Sequence, residues 1–231
     1  MPPKLLCRAS VLLALWLLAG TPLLAQSVGV AIRVNPQVDA YLVGKEVHPL
    51  RRNDPIERGL TVLLRDPSSF LLVGFNLGGC LPVTREGGLS HQFTGTASLD
   101  GRTEMDFGDP KDPSASRLWL ALGRIAMKLL PNSGCPPPET RTPHAVIRPQ
   151  GTAFRVLVDS VAGTFVGVDE GSVMVQAEAG GEPVEVKAGQ WVLVPPGGLP
   201  KRPGRPSRNF DHDDPPLLGC CTGVEPPKPP Q

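Results

Sequence analysis

Proline and glycine are so frequent in this chain that they limit which folds it can adopt. The 231 residues include 28 prolines and 26 glycines. Proline breaks the interior of a helix and glycine weakens it, so long helices are disfavoured. Short apolar runs alternate with turn residues instead, which is typical of strands in an all-β fold. The spacing suits a sandwich, a barrel or a stacked β-solenoid, and the sequence does not choose among them.

The apolar runs locate the predicted strands in the first half of the chain. They occupy residues 28–34, 40–43, 61–64 and 70–75. Residues 85–116 are polar and rich in turn residues, which predicts turns, short strands and an exposed loop. The apolar residues between Leu118 and Leu129 fit both a helix and a strand, and Gly123 favours two strands.

The first 25 residues have the pattern of a secretory signal peptide. Basic Lys4 and Arg8 precede an apolar run of about 11 residues, whereas a helix that spans a bilayer needs about 20. We therefore expect cleavage after Ala25, with an uncleaved anchor helix as the alternative. No later segment is long and apolar enough to span a membrane, so the mature chain is expected to have no membrane span. These features predict export to the periplasm or the extracellular space.

Removal of the signal peptide leaves an even number of cysteines in a chain sent to an oxidising compartment. The candidates for disulfide bonds are Cys80, Cys135, Cys220 and Cys221. A bond between the two adjacent tail cysteines would be strained, so pairing of a tail cysteine with Cys80 or Cys135 has equal weight. A metal site formed by His212, its acidic neighbours and the tail cysteines is the alternative to a disulfide or a disordered tail.

Charge and motifs exclude several function classes. Lysine and arginine number 23 against 22 acidic residues, and aromatic residues make up 5% of the chain, so nucleic acid is not an expected partner. The four histidines fit no H-E-x-x-H or paired metal spacing, and no G-x-S-x-G motif is present. The sequence predicts no catalytic, cofactor-binding or metal-binding residue, and we do not expect an enzyme.

Three linked motifs between residues 142 and 198 carry the most information. The first runs from Thr-Pro-His-Ala to Gly-Thr-Ala-Phe, the second is Glu-Gly-Ser-Val, and the third is Ala-Gly-Gln. Apolar and polar residues alternate along them as in half-buried strands, and the glycines stand where a turn with positive φ would admit them. The motif residues are Thr142, Pro143, Gly151, Thr152, Phe154, Glu170, Gly171, Val173, Gly189 and Gln190.

In their order and spacing these motifs resemble the FecR domain family. The resemblance implies a β-rich domain over residues 28–197, between the signal peptide at 1–25 and a proline-rich tail at 198–231. Residues 44–59 are similar to the early turn region of the family. Pro149 and Gln150 depart from the family pattern, which predicts a different local turn before the Gly-Thr pair. The tail is expected to be disordered and to act as a linker or contact arm.

The resemblance also implies a function. The best-known FecR proteins relay the state of an outer-membrane receptor to a cytoplasmic sigma factor. Because a cleavable signal begins this chain, we expect no direct contact with a sigma factor. We expect a non-enzymatic binding or signal-sensing module whose turns and sheet edge meet another envelope protein. A structural or polysaccharide-associated role is the alternative, and a hydrolase is less favoured.

Overall fold

The computed structural model describes residues 27–35, 38–42, 45–76, 93–108, 117–129, 137–150, 153–201 and 203–204. This part of the chain contains fifteen β-strands and no helix, and therefore no helix that could cross a membrane. The strands are β1 (Ser27–Val34), β2 (Val38–Leu42), β3 (His48–Pro49), β4 (Pro55–Glu57), β5 (Leu60–Leu64), β6 (Phe70–Phe75), β7 (Gly95–Phe107), β8 (Arg117–Leu129), β9 (Glu139–Arg141), β10 (Ala145–Pro149), β11 (Ala153–Asp159), β12 (Gly163–Glu170), β13 (Ser172–Ala177), β14 (Val184–Lys187) and β15 (Trp191–Val194).

The strand pairing divides into two sheets that share the long hairpin formed by β7 and β8. The first sheet has the order β4-β1-β6-β7-β8-β11-β12-β15, and the second has the order β3-β2-β5-β7-β8-β9-β10-β13-β14. Strands β8 and β9 run parallel, and the other neighbouring strands run antiparallel. A stacked solenoid would instead pair successive coils in parallel. The all-β prediction is confirmed, and the architecture is sandwich-like.

The shared hairpin bends where it passes from one sheet to the other. The first half of β7 pairs with β6 and its second half pairs with β5. Gly101 and Gly123 mark the bend, with positive φ values of 65° and 95°. A Cβ atom at Gly123 would lie 2.3 Å from Thr103 Oγ1 and 2.4 Å from the Arg102 carbonyl oxygen, so only glycine fits there. The predicted division at Gly123 is thus a bend within one continuous strand.

The hydrophobic core fills the space between the two sheets. Phe154 and Val156 of β11 and Val166 of β12 face the core from the first sheet. Ile147 of β10 and Val175 of β13 face it from the second sheet. These residues belong to one continuous apolar cluster, which also includes buried residues of β1, β2 and β4 to β8. Removal of this apolar surface from water is the dominant favourable term in folding.

The structure confirms most of the predicted strands and corrects two interpretations. Strands β1, β2, β5 and β6 occupy the four predicted apolar runs. The prediction of turns and short strands for residues 85–116 was wrong over β7, a strand of 13 residues. Its partly exposed residues, such as Asp100 and Asp106, alternate with buried ones, so the polar character marks the solvent face of a strand. Strand β12 was not predicted, because residues 163–168 are buried on both faces and show no alternation.

Candidate functional site

Thr142, the first motif residue, lies in a polar bridge between the two sheets. Its hydroxyl oxygen accepts hydrogen bonds from the amides of His144 at 3.2 Å and Ala145 at 2.9 Å, which shapes the turn into β10. Thr164 Oγ1 on β12 lies 2.8 Å from Thr142 Oγ1 and 3.1 Å from His144 Nδ1. Both threonines are fully buried. Thr142 therefore ties the second sheet to the first, which is a structural role.

The other described motif residues do not converge on one site. Phe154 and Val173 are fully buried in the core, whereas Pro143 is exposed at a bend and Glu170 is exposed at the end of β12. The glycines that follow in the second and third motifs have φ values of 78° and 75°. These values confirm the prediction that both glycines occupy turns with positive φ.

Several predictions fall outside the described residues and stay predictions. They concern the signal peptide, the tail around His212, and the residues Gly151, Thr152, Cys80, Cys135, Cys220 and Cys221. Among the residues that the structure describes, no group of three histidine, cysteine or acidic side chains could hold a metal ion.

Gln190 protects the outer edge of β14, the last strand of the second sheet. Its side-chain Oε1 accepts a hydrogen bond from Lys187 N at 3.0 Å, and its main-chain N–H donates to the Lys187 carbonyl at 2.9 Å. Lys187 also forms an ion pair with Glu185 at 3.4 Å. An edge strand pairs readily with other chains unless charges or caps prevent it. The Ala-Gly-Gln motif therefore closes this edge.

Replacement of Gln190 by alanine is expected to open the β14 edge, because the Lys187 N–H loses its acceptor. The free energy of unfolding should fall by about 1 kcal/mol, and the Lys187 amide should exchange with solvent about fivefold faster. Hydrogen exchange and chemical denaturation measure both effects. Gln190→Glu keeps an acceptor oxygen and is the control. Equal exchange rates of the Lys187 amide in the two variants and the wild type would contradict the capping role.

The edges formed by β3 and β4 are protected in another way. β3 has 2 residues and includes Pro49, and β4 has 3 residues and includes Pro55. Proline has no N–H to donate to a neighbouring strand, and a short edge offers few partners. Neither edge is suited to the addition of a further strand.

The edge formed by β15, the last strand of the first sheet, carries no charged residue. Its outward-facing main chain pairs with a segment that follows it in the sequence. Trp191 N donates to the Gly204 carbonyl at 2.9 Å, and Gly204 N donates to the Trp191 carbonyl at 3.0 Å. Lys201 N donates to the Leu193 carbonyl at 2.9 Å. We call Lys201, Pro203 and Gly204 the strap; the start of the predicted tail thus pairs with the domain.

Aromatic side chains lie beside this edge on the outer face of the first sheet. The ring of Trp191 stacks on Phe165 of β12, with ring centroids 6.2 Å apart and an angle of 29° between the planes. Leu193 is directly opposite Phe165 in the strand pairing. We call β15 together with Phe165 the binding edge. It combines main-chain groups that pair with an extended segment with the half-buried ring of Trp191, which is stacked on buried Phe165. Sequence reasoning missed it because its strap has no strand pattern.

Glu139 is the centre of an ion-pair network on the outer face of the second sheet. Nε atoms of Arg117, Arg141 and Arg148 lie 3.4, 2.6 and 2.8 Å from its carboxylate. Burial alone would raise the pKa of Glu139. The hydrogen bond from Arg141 and the charges of Arg141 and Arg148 outweigh burial and hold that pKa below its ordinary value of 4.5. The network links β8, β9 and β10 across the sheet.

The lowered pKa of Glu139 predicts how stability changes with pH. A carboxylate whose pKa is lower in the folded state stabilises the fold above its unfolded pKa, and this contribution is lost as the pH falls through the folded pKa. Glu139→Gln should therefore be less stable than the wild type at pH 7, and the difference should shrink below the ordinary value of 4.5. Urea denaturation across this range measures it, with the exposed Glu182→Gln as control. A difference that is constant with pH would contradict the prediction.

Comparisons with known proteins place the chain near two solved structures. No protein-family model and no curated protein matches it. Two crystal structures of proposed anti-sigma factors from Parabacteroides distasonis are similar, each with a TM-score of 0.40. The first is 17% identical and the match covers 48% of this chain and 51% of that one; the second is 16% identical and covers 59% and 60%. The chain therefore matches less than two thirds of either neighbour, and the FecR resemblance stays a prediction.

Proposed function

We propose that this chain is an exported, non-enzymatic binding or signal-sensing module of the cell envelope, and that its partner protein adds an extended strand along the binding edge. The observation that supports this proposal is the pairing of three outward-facing main-chain groups of Trp191 and Leu193 with the strap. Strand addition uses such main-chain bonds for affinity and alternate side chains for specificity. The FecR-like motifs and the predicted signal peptide support the envelope setting.

The contrast between the edges favours β15 over the others. β14 has charges and the Gln190 cap, and β3 and β4 are short and contain proline. β15 has four uncharged residues and a main chain that already accepts an extended segment. Tryptophan is also enriched among the residues that contribute most to protein interfaces. Trp191 lies where a partner side chain on the outer face would meet it.

The test is affinity capture from envelope extract under non-reducing conditions, with the mature chain from residue 26 as bait. Leu193→Pro removes an N–H that faces away from β12, because the N–H and C=O of one residue in an antiparallel strand point to the same side. Glu185→Pro makes the same change at the β14 edge and is the matched control. Circular dichroism and thermal unfolding establish that both variants are folded.

We expect a defined envelope protein to be recovered with the wild type and with Glu185→Pro in similar amounts. Leu193→Pro should reduce its recovery by about tenfold or more, which corresponds to roughly 1.4 kcal/mol of binding free energy. Recovery that is insensitive to Leu193→Pro, or equally sensitive to both substitutions, would contradict strand addition at β15.

A polysaccharide-associated role is the second candidate, because two aromatic residues share one row of the second sheet. Tyr41 is opposite Thr61 on β5, and Trp119 is opposite Asp106 on β7. Thr61 Oγ1 donates to Asp106 Oδ1 at 2.5 Å between them. Adjacent strands are about 4.8 Å apart, so the two aromatic residues lie roughly 14 Å apart on the same face, suited to stacking on sugar rings.

Cosedimentation with insoluble polysaccharides tests this second function. Trp119→Ala should abolish binding, whereas Trp191→Ala on the other sheet should leave it unchanged. Failure of the wild type to sediment with any polysaccharide tested, or equal loss in both variants, would contradict it.

A further inference from the structure

We infer that the strap is an internal competitor for the binding edge, and that a partner strand which displaces it carries a small residue opposite Trp191. This inference rests on the proposed function, since it concerns the same edge. It adds a mechanism of regulation and a requirement on the partner sequence.

The described residues of the strap pair with three of the four outward-facing main-chain groups of Trp191 and Leu193. These residues make three main-chain hydrogen bonds, to Trp191 N, the Trp191 carbonyl and the Leu193 carbonyl. The Leu193 N–H points to the same side as its carbonyl. It has no hydrogen-bond partner among the residues that the structure describes. A partner strand that pairs regularly with β15 would use this fourth group as well.

The register of the strap shows that it pairs irregularly with β15. With Gly204 opposite Trp191, a regular antiparallel strand would place the residue two positions earlier opposite Leu193. The donor to the Leu193 carbonyl is instead Lys201, three positions earlier. This shift corresponds to a bulge, which disrupts the pairing between the strap and β15 locally. The strap is therefore an irregularly paired occupant, which a regular strand can replace.

The residue opposite Trp191 is limited in size. A Cβ atom added to Gly204 would lie 4.0 Å from Trp191 Nε1, which is an ordinary van der Waals contact. Alanine therefore fits at this position, and a longer side chain must share the space beside the indole ring. Because Trp191 is held by its stack on Phe165, the ring cannot turn away without loss of that contact. A partner strand needs glycine, alanine or serine at this register.

Because the strap belongs to the same chain as the binding edge, a partner can bind only when the strap has left the edge. The strap is joined to β15 by a short connection, so its effective concentration at the edge is high even though its contacts are few. The apparent dissociation constant of a partner equals its intrinsic value divided by the fraction of molecules with an open edge. The strap also shields an uncharged edge from unspecific pairing. Weakening the strap should therefore strengthen binding.

The test compares Gly204→Pro with Gly204→Ala in the full mature chain. Proline removes the N–H that donates to the Trp191 carbonyl, whereas alanine keeps it. Lys201→Pro, which removes the donor to the Leu193 carbonyl, replaces Gly204→Pro if that variant does not fold. Exchange of the Trp191 amide reports opening of the edge, and the Val192 amide, which faces β12, is the internal reference. The probes are two seven-residue peptides of alternating threonine and valine, one with a central glycine and one with a central phenylalanine.

We expect the Trp191 amide to exchange about tenfold faster in Gly204→Pro than in Gly204→Ala, and the glycine peptide to bind the proline variant about tenfold more tightly. The phenylalanine peptide should bind at least tenfold more weakly than the glycine peptide. Unchanged exchange at Trp191 would overturn the strap as occupant of the edge. Faster exchange without peptide binding would overturn strand addition, and hence the proposed function. Equal binding of both peptides would overturn the size requirement.

Discussion

Gly123→Ala is expected to lower the free energy of unfolding by about 4 kcal/mol, because two costs add. The φ of 95° is unfavourable for any residue with a Cβ atom, by about 1–2 kcal/mol. The new methyl group would also overlap the Thr103 hydroxyl and the Arg102 carbonyl. Thr103 cannot move aside easily, since its hydroxyl donates to the Asp100 carbonyl at 2.8 Å and accepts from Arg124 N at 3.0 Å. The overlap therefore distorts the bend shared by both sheets.

Chemical denaturation followed by tryptophan fluorescence measures this loss. Gly189→Ala is the matched control, because Gly189 also has a positive φ, of 75°, but no atom lies within 4 Å of the added methyl group. The free energy of unfolding of the control should fall by only about 1–2 kcal/mol, which is the conformational cost of a positive φ. A similar loss in the two variants would contradict the close approach of β7 and β8 at the bend.

The alternation of apolar residues was sufficient to predict the strands that have one face in the core. Phe154 and Val156 alternate with partly exposed Arg155 and Leu157, and β11 lies where this pattern indicates. The same argument failed where neighbouring residues are all buried, as at Phe165 and the rest of β12. In such a strand both faces are covered, so the period of two disappears from the sequence.

The candidate site could be predicted only in part. Gln190 was identified from a motif, and its role as an edge cap follows from a hydrogen bond to a residue three positions away. The strap was not predictable, because Lys201 and Gly204 have no strand pattern and their main-chain partners are on the edge of β15. Glu139 and its arginines were missed for a related reason. The three arginines lie on three different strands, and only the strand order brings Arg117 of β8 and Arg148 of β10 next to Glu139 of β9.

The terminal strands of the two sheets differ, and the contact between Thr142 and Thr164 connects the sheets near β15. The second sheet ends in a capped and charged strand, whereas the first sheet ends in an uncharged strand that pairs with the strap. The strand addition that we propose at β15 would extend the first sheet next to β12, with which β15 pairs directly. Thr164 of β12 is held to the second sheet by Thr142. The rigidity of the binding edge therefore depends on this buried contact.

Thr142→Val is expected to destabilise the fold by about 3 kcal/mol, although valine has nearly the same shape as threonine. The substitution leaves the amide of the fully buried Ala145 without the acceptor at 2.9 Å and removes the 2.8 Å contact with Thr164. Each buried polar group that loses its partner costs about 1–3 kcal/mol. Urea denaturation at pH 7 measures the loss, and Thr142→Ser, which keeps the hydroxyl, should cost only about 1 kcal/mol.

A double-mutant cycle separates the free energy of the contact between Thr142 and Thr164 from that of the turn into β10. Thr164→Val should cost about 1 kcal/mol, because it removes the contact between the hydroxyls but leaves the acceptor for Ala145 N in place. The double variant should be more stable than the sum of the two losses implies, by about 1 kcal/mol, since the contact can be lost only once. Strict additivity would show that the two threonines do not interact. A loss below about 1 kcal/mol for Thr142→Val would show that the buried amides find other acceptors, and that the sheets are held together by the apolar core alone.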